Sequence, residues 1–151
     1  MNPGIVAALV WAGAAFAGQP SDEKILYAIG SVETGFNRSA RGDHGASFGA
    51  YQMSRDSWAT ANRWLAAHGQ PVVPFRDWRS ASAQDTIAKA FICSIKAGLA
   101  DDGITNPTPE QIGLIWNMGI NGARRVGYRP ESAPPAKCDY AIRVGNLSRD
   151  Q

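Results

Sequence analysis

Cysteine, histidine and charge are all scarce in this chain of 151 residues. The two cysteines, Cys93 and Cys138, and the two histidines, His44 and His68, show no ligand spacing. That excludes a zinc site and leaves no metal expected. Charged residues make up 19% of the chain and the net charge is +2. Without a run of lysine and arginine, that field is too weak for a nucleic-acid binder. There is no internal repeat and no low-complexity tail, and no cofactor is expected. The N-terminal apolar run, Ile5 to Phe16, is too short to cross a bilayer comfortably. What remains is ordinary for one globular domain. Hydrophobic residues are 44% of the chain, and this length can bury around two thirds of its surface.

Residues 1–17 read as a separate object. Ala15-Phe16-Ala17 fits a small-x-small cleavage site, and the segment reads as a secretory signal peptide although no basic side chain precedes the apolar run. The alternative is an uncleaved N-terminal helix. The expected mature chain is one domain, 18–151, secreted or periplasmic and monomeric, with no stable membrane span. In that compartment an even number of cysteines allows a disulfide between Cys93 and Cys138, worth roughly 4 kcal/mol in the chain-entropy picture. Two buried free thiols are the equal alternative.

The rest reads as mostly helical. Ser21 caps a first helix with Asp22 and Glu23 in its first turn. Asn37 to Tyr51 is glycine-bearing and aperiodic, a long loop or a small β-hairpin. Ser54 to His68 is the next helix, capped by Ser54 and ended by Gly69, with Trp58, Ala61 and Leu65 on one stripe. Gln70 to Arg79 is a proline-bearing connector, and Trp64 and Trp78 read as packing. Ala81 to Ala100 is the longest helical pattern, with Ile87, Phe91, Ile95 and Leu99 marking a core helix. Thr108-Pro109-Glu110-Gln111 is a capping box opening a helix to Asn117, followed by a glycine-rich stop over Gly119 to Arg125. Gly127 to Pro135 is a loop, and Ala136 to Leu147 the last helix.

Glu33 breaks this pattern. With Leu26 and Ile29 it falls on the core-facing stripe of the first helix, and Gly35 reads as a left-handed stop just beyond it. Burial and the negative end of the helix dipole both favour a protonated carboxyl there. A carboxyl that holds its proton near neutral pH is what general-acid catalysis requires. A surface glutamate at a helix end is the plainer alternative.

Glu33-Thr34-Gly35-Phe36-Asn37 and Gly49-Ala50-Tyr51-Gln52-Met53 together resemble a motif pair of the lysozyme-like superfamily, in particular the soluble lytic transglycosylases. Those proteins carry a Glu-Ser-Gly-Phe-Asn-like segment at a helix end, then a Gly-Leu-Met-Gln-like or Gly-Pro-Tyr-Gln-like segment. Thr34 stands here for Ser, and Ala50-Tyr51 for Leu-Met. Ile115-Trp116-Asn117-Met118-Gly119 is similar to an Ala-Tyr-Asn-Ala-Gly motif, and Tyr140-Ala141-Ile142-Arg143-Val144 to a late Tyr-basic-Val motif. The four occur in the family's order over residues 22–148. The resemblance implies an α+β, predominantly α-helical fold with a small β-hairpin or loop region beside a cleft. It implies cleavage of the β-1,4 MurNAc–GlcNAc bond of peptidoglycan glycan strands. Glu33 is then the catalytic residue and Gln52, Tyr51, Asn117, Tyr140 and Phe36 bind or shape around substrate. The family needs no second carboxylate, since the same glutamate next takes the C6 hydroxyl proton and a 1,6-anhydro ring closes. Asp43 keeps a hydrolytic alternative open, because its loop is similar to that of invertebrate-type lysozymes; Gly42-Asp43-His44-Gly45 is also a good turn in itself. Two further readings are a binding module that kept the cleft without the chemistry, and a structural domain of an envelope-spanning machine.

Overall fold

The computed structural model describes residues 18–151; the expected signal peptide and its cleavage site at Ala17 lie outside the described residues. In chain order the elements are α1 (Asp22–Thr34), β1 (Arg41–Gly42), β2 (Ser47–Phe48), β3 (Met53–Ser54), α2 (Arg55–Ala67), α3 (Ala81–Asp101), α4 (Pro109–Arg125) and α5 (Pro135–Arg149). Single 3-10 turns lie at Asp43–Gly45, Phe75–Asp77 and Pro130–Ser132. The protein is therefore predominantly α-helical with one small antiparallel sheet of three strands in the order β1-β2-β3. The aperiodic stretch after α1 is a short meander rather than a single hairpin.

Local chemistry sets the helix starts. Ser21, Ser54, Ser80 and Thr108 each accept a hydrogen bond from the backbone N–H three residues on. Such a cap is worth about 1 kcal/mol. At Thr108 the box is complete, with the Gln111 side chain returning to the Thr108 N–H at 2.9 Å. The caps at Ser21, Ser54 and Thr108 are those read from sequence; Ser80 is additional.

The core is built from the expected stripes. Ile25, Leu26 and Ile29 of α1, Trp58 and Leu65 of α2, Ile87, Ile92, Ile95 and Leu99 of α3, and Ile112 and Ile115 of α4 are all buried. The long α3 packs against α1, α2 and α4, and α5 closes the other side against α1 and α4. Among the described residues no helix is long and apolar enough to cross a membrane.

Two expectations are corrected. The helix opened by Thr108 does not stop after Asn117; it breaks at Gly119 and resumes to Arg125. Gly119 has φ 76° and ψ 158°, a region reserved for glycine, and an added Cβ would touch nothing. The glycine is thus required by backbone conformation and not by crowding. Cys93 and Cys138 are both free, half-buried thiols, so the disulfide allowed by the cysteine count is not formed.

Candidate functional site

Helix α1 delivers Glu33 to the edge of the core. Gly35 ends the helix in the left-handed conformation, φ 60° and ψ 36°. Thr34 then ties the helix end to the loop, its hydroxyl donating to the Ala50 carbonyl at 2.9 Å and accepting from the Asn37 N–H at 3.0 Å. Glu33 is left half-buried in the wall of a cleft of about 420 Å³. From α5 the buried Tyr140 donates its hydroxyl to Glu33 Oε1 at 2.6 Å. Burial holds the Glu33 carboxyl above its ordinary value, and the nearby Asp43 adds to this. Tyr140 and Lys137 pull the other way, because both favour the anion, but burial is the larger effect. The Tyr140 phenol is itself raised well above its ordinary value, by burial first and then by Glu33.

The opposite wall is the sheet. Pairing sets Gly42 against Ser47 and Ser47 against Ser54, while Arg41, Phe48 and Met53 form the neighbouring row. Adjacent residues on a strand point to opposite faces. Ser47 and Ser54 accordingly line the cleft, whereas Phe48 and Met53 are buried in the core. Asp43 also lines the cleft, held by a hydrogen bond from the Ser47 hydroxyl. Gln52 lies beside them, its side-chain amide donating to the Gly49 carbonyl at 2.9 Å. Gly42 makes room for it: a Cβ there would stand 2.1 Å from Gln52 Oε1. Asp43 and Gln52 both have positive φ, 50° and 48°. Such residues cost stability and gather where a surrounding structure has reason to hold them.

The break at Gly119 completes the cleft. Ile115, Trp116, Asn117 and Gly119 line it beside Phe91. Trp116 packs edge-on against Phe91 with ring centroids 5.1 Å apart, and its indole N–H donates to the Tyr51 carbonyl at 3.2 Å. Asn117 Oδ1 is buried without a hydrogen-bond partner. An unused buried acceptor on a cleft wall suits a ligand N–H. Past Gly119 the cleft shares Ser57, Phe91, Ile115 and Gly119 with an apolar recess of about 260 Å³, so the groove is longer than Glu33's own surroundings.

The structure thus brings Glu33, Asp43, Gln52, Asn117 and Tyr140 together. It does not bring Phe36 and Tyr51 to the same wall. Phe36, at φ 66°, turns its ring onto Tyr27 at 5.2 Å, and both border a separate surface groove with Tyr51, Arg38 and Asp85. Tyr51 is buried, and its hydroxyl donates to Asp85 at 2.7 Å. Burial, with the adjacent Asp85 carboxylate, pushes that phenol up to about 12. Tyr51 reaches the Glu33 cleft only through the carbonyl that holds Trp116. Trp64 and Trp78 are packing residues, Trp64 stacked on His68 and Trp78 buried.

No family model matches this chain, and no curated protein and no solved structure matches it either. The functional reading therefore rests on the residues of the cleft together with the motif resemblance.

Sequence reading passed over two residues of the cleft, Lys137 and Ser47, and a third behind it, Gln84. Lys137 stands three before Tyr140 on α5, a spacing that shares a helix face. Ser47 is identifiable only once the strand pairing is known. Gln84, the third, is outside the cleft but holds its sheet wall: its Oε1 accepts from the Ala50 N–H at 2.9 Å, and its amide donates to the Arg38 and Trp78 carbonyls at 2.8 and 2.7 Å.

Because the Tyr140 hydroxyl favours the Glu33 anion, Tyr140→Phe is expected to raise the Glu33 titration midpoint further. Carboxyl-carbon NMR of selectively labelled protein reads this directly. An unchanged or lowered midpoint would mean that the hydrogen bond is not felt by Glu33.

Proposed function

We propose that this protein is an exported, lysozyme-like enzyme that cleaves the β-1,4 MurNAc–GlcNAc bond of peptidoglycan, with lytic transglycosylase chemistry as its first reading. One observation carries it: a carboxyl whose proton affinity is raised by burial, hydrogen-bonded by a buried tyrosine, in a cleft also lined by Gln52, Asn117 and Trp116. Such a carboxyl is placed and tuned as a general acid.

In this mechanism Glu33 gives its proton to the glycosidic oxygen as the bond to C1 of the muramic acid breaks, and positive charge develops on the ring. The Glu33 carboxylate so formed keeps the Tyr140 hydrogen bond and the nearby Lys137 charge. It then removes the proton of the C6 hydroxyl while O6 bonds to C1. Glu33 is protonated again, a 1,6-anhydro ring has formed, and no water is consumed. Gln52 and the unused Asn117 Oδ1 are the groups that hold acetamido and hydroxyl positions of the strand. Trp116 offers the sugar an aromatic wall.

Hydrolysis is the second reading, favoured by Asp43 lying in the same cleft and acting on Glu33. A second carboxylate is what a hydrolase uses as nucleophile or as base for water. Mass spectrometry of muropeptides released from purified sacculi separates the two by anhydromuramic against reducing ends. Under the first reading Asp43→Asn keeps its rate within about tenfold, whereas loss of a catalytic base costs about 10²–10⁴. A glycan-binding module without chemistry makes a different forecast: binding of strands with no released product of either kind.

A further inference from the structure

The far side of the small sheet carries an arrangement that the cleft does not use. Phe48, Phe75 and Trp78 form an aromatic series, Phe48 lying 5.0 Å from Phe75 and 5.2 Å from Trp78 between ring centroids. Three exposed arginines are laid over it. Arg79 sits 4.6 Å above Trp78; Arg41 covers Trp78 at 5.3 Å and Phe48 at 5.6 Å; Arg55 covers Phe48 at 5.9 Å and Phe75 at 4.1 Å. Cation and ring therefore alternate along one face. Among the described residues none of the three arginines has an ion-pair partner, while Arg38, Arg124 and Arg149 are each paired with a carboxylate within 3 Å. The carboxylate bordering this face, Asp77, approaches Arg76 and only at 4.0 Å.

Pre-ordered guanidinium groups with unspent donors are suited to phosphate or carboxylate, which match their planar fork. Stacking on a ring fixes each guanidinium and reduces the entropy lost when it binds. Neighbouring arginines share a ring, so successive charges of an extended chain meet successive cations. The rings decide what kind of chain. Single-stranded nucleic acid is usually held by bases stacking on open aromatic faces. Here Phe48 and Trp78 are buried, with guanidinium groups over them, which leaves no free face for a base. We propose that this face docks a linear polyol-phosphate polymer, gripping consecutive phosphodiesters through Arg41, Arg55 and Arg79. Strand alternation places the docking face behind the sheet wall of the Glu33 cleft, so the polymer is held without occupying the cleft.

The test uses the full protein with a glycerol-phosphate oligomer, an oligothymidylate of equal charge and phosphatidylglycerol vesicles, each titrated over a range of salt. The glycerol-phosphate oligomer is expected to bind, with log K falling against log salt at a slope of about −2 for three phosphate contacts. The triple change R41Q, R55Q and R79Q is expected to weaken it by at least about tenfold and flatten that slope. The matching triple lysine variant keeps the charge and is expected to retain most of the binding, which separates lost contacts from lost folding. Equal binding by the glutamine variant overturns the proposal. Tighter binding of oligothymidylate would make the face a nucleic-acid surface, and binding to vesicles without the oligomer a membrane surface; either result also overturns it. Release of muropeptides from sacculi stripped of anionic polymers is expected to be unchanged in both variants, because none of the three arginines lines the cleft.

Discussion

Glu33→Gln is expected to lose cleavage of glycan strands by about 10² to 10⁴-fold, the usual contribution of a general acid. The same change is expected to leave the folded protein at least as stable as the wild type at neutral pH. Both outcomes have one cause. Burial raises the Glu33 carboxyl above its ordinary value, so between those two values the folded chain holds a proton that the unfolded chain has released. Stability then falls as pH rises through that window, because the folded state binds more protons. Glutamine keeps an acceptor for the Tyr140 hydroxyl and carries no charge, so it removes the slope. Melting curves at pH 4 and pH 7 beside muropeptide release provide the comparison. The gap between variant and wild type should move in the variant's favour at the higher pH. An active Glu33→Gln protein would end the general-acid proposal. An inactive one whose gap moves against it would show that the carboxyl is not strained by burial.

The pH dependence of catalysis follows from the same group. A general acid works while protonated, so the rate should fall as pH rises through the raised Glu33 value. Tyr140→Phe, which raises that value further, should carry the alkaline limb with it.

Much of this was legible in the sequence because the signals were periodic or stereochemical. The stripe of Leu26, Ile29 and Glu33, the stop at Gly35 and the cap at Thr108 each rest on a rule that acts within a few residues. The small sheet was ambiguous because its strands are two residues long, too short for any alternation to register. Phe36 was assigned to the cleft through the motif resemblance; its positive φ, rare for a phenylalanine, accompanies a ring turned onto Tyr27 instead. The resumed end of α4 was missed for a different reason. Its glycines read as a stop, yet Gly122 and Ala123 are buried, and packing outweighs local propensity. The burial that pairs Glu33 with Tyr140 joins residues 107 apart in the chain; no local pattern spans that distance.

Gln84 is where the sheet wall of the cleft is most easily undone. It lies on the apolar stripe of α3, in step with Ile87, Ala88 and Phe91, and is nevertheless buried with every hydrogen-bonding group used. Gln84→Leu keeps the volume but strands the Ala50 N–H and the Arg38 and Trp78 carbonyls. Each unsatisfied buried group costs about 1–3 kcal/mol, so a loss of about 3–5 kcal/mol is expected after partial hydration. Against a domain stability of about 5–15 kcal/mol that is a large share, and a fall in melting temperature of about 10–20 °C should accompany it. Gln84→Glu separates bonding from packing. Its protonated form can still accept from Ala50 and donate to one carbonyl, whereas its anion would face two carbonyls in a buried site. Its carboxyl should therefore titrate above the ordinary value when folded, and its stability should drop as pH rises past that value. Gln84→Leu should show no such pH dependence of its own. If Gln84→Leu melts with the wild type, the hydrogen bonds are not what holds the sheet wall against α3. If both variants melt low and alike at every pH, the site responds to shape alone.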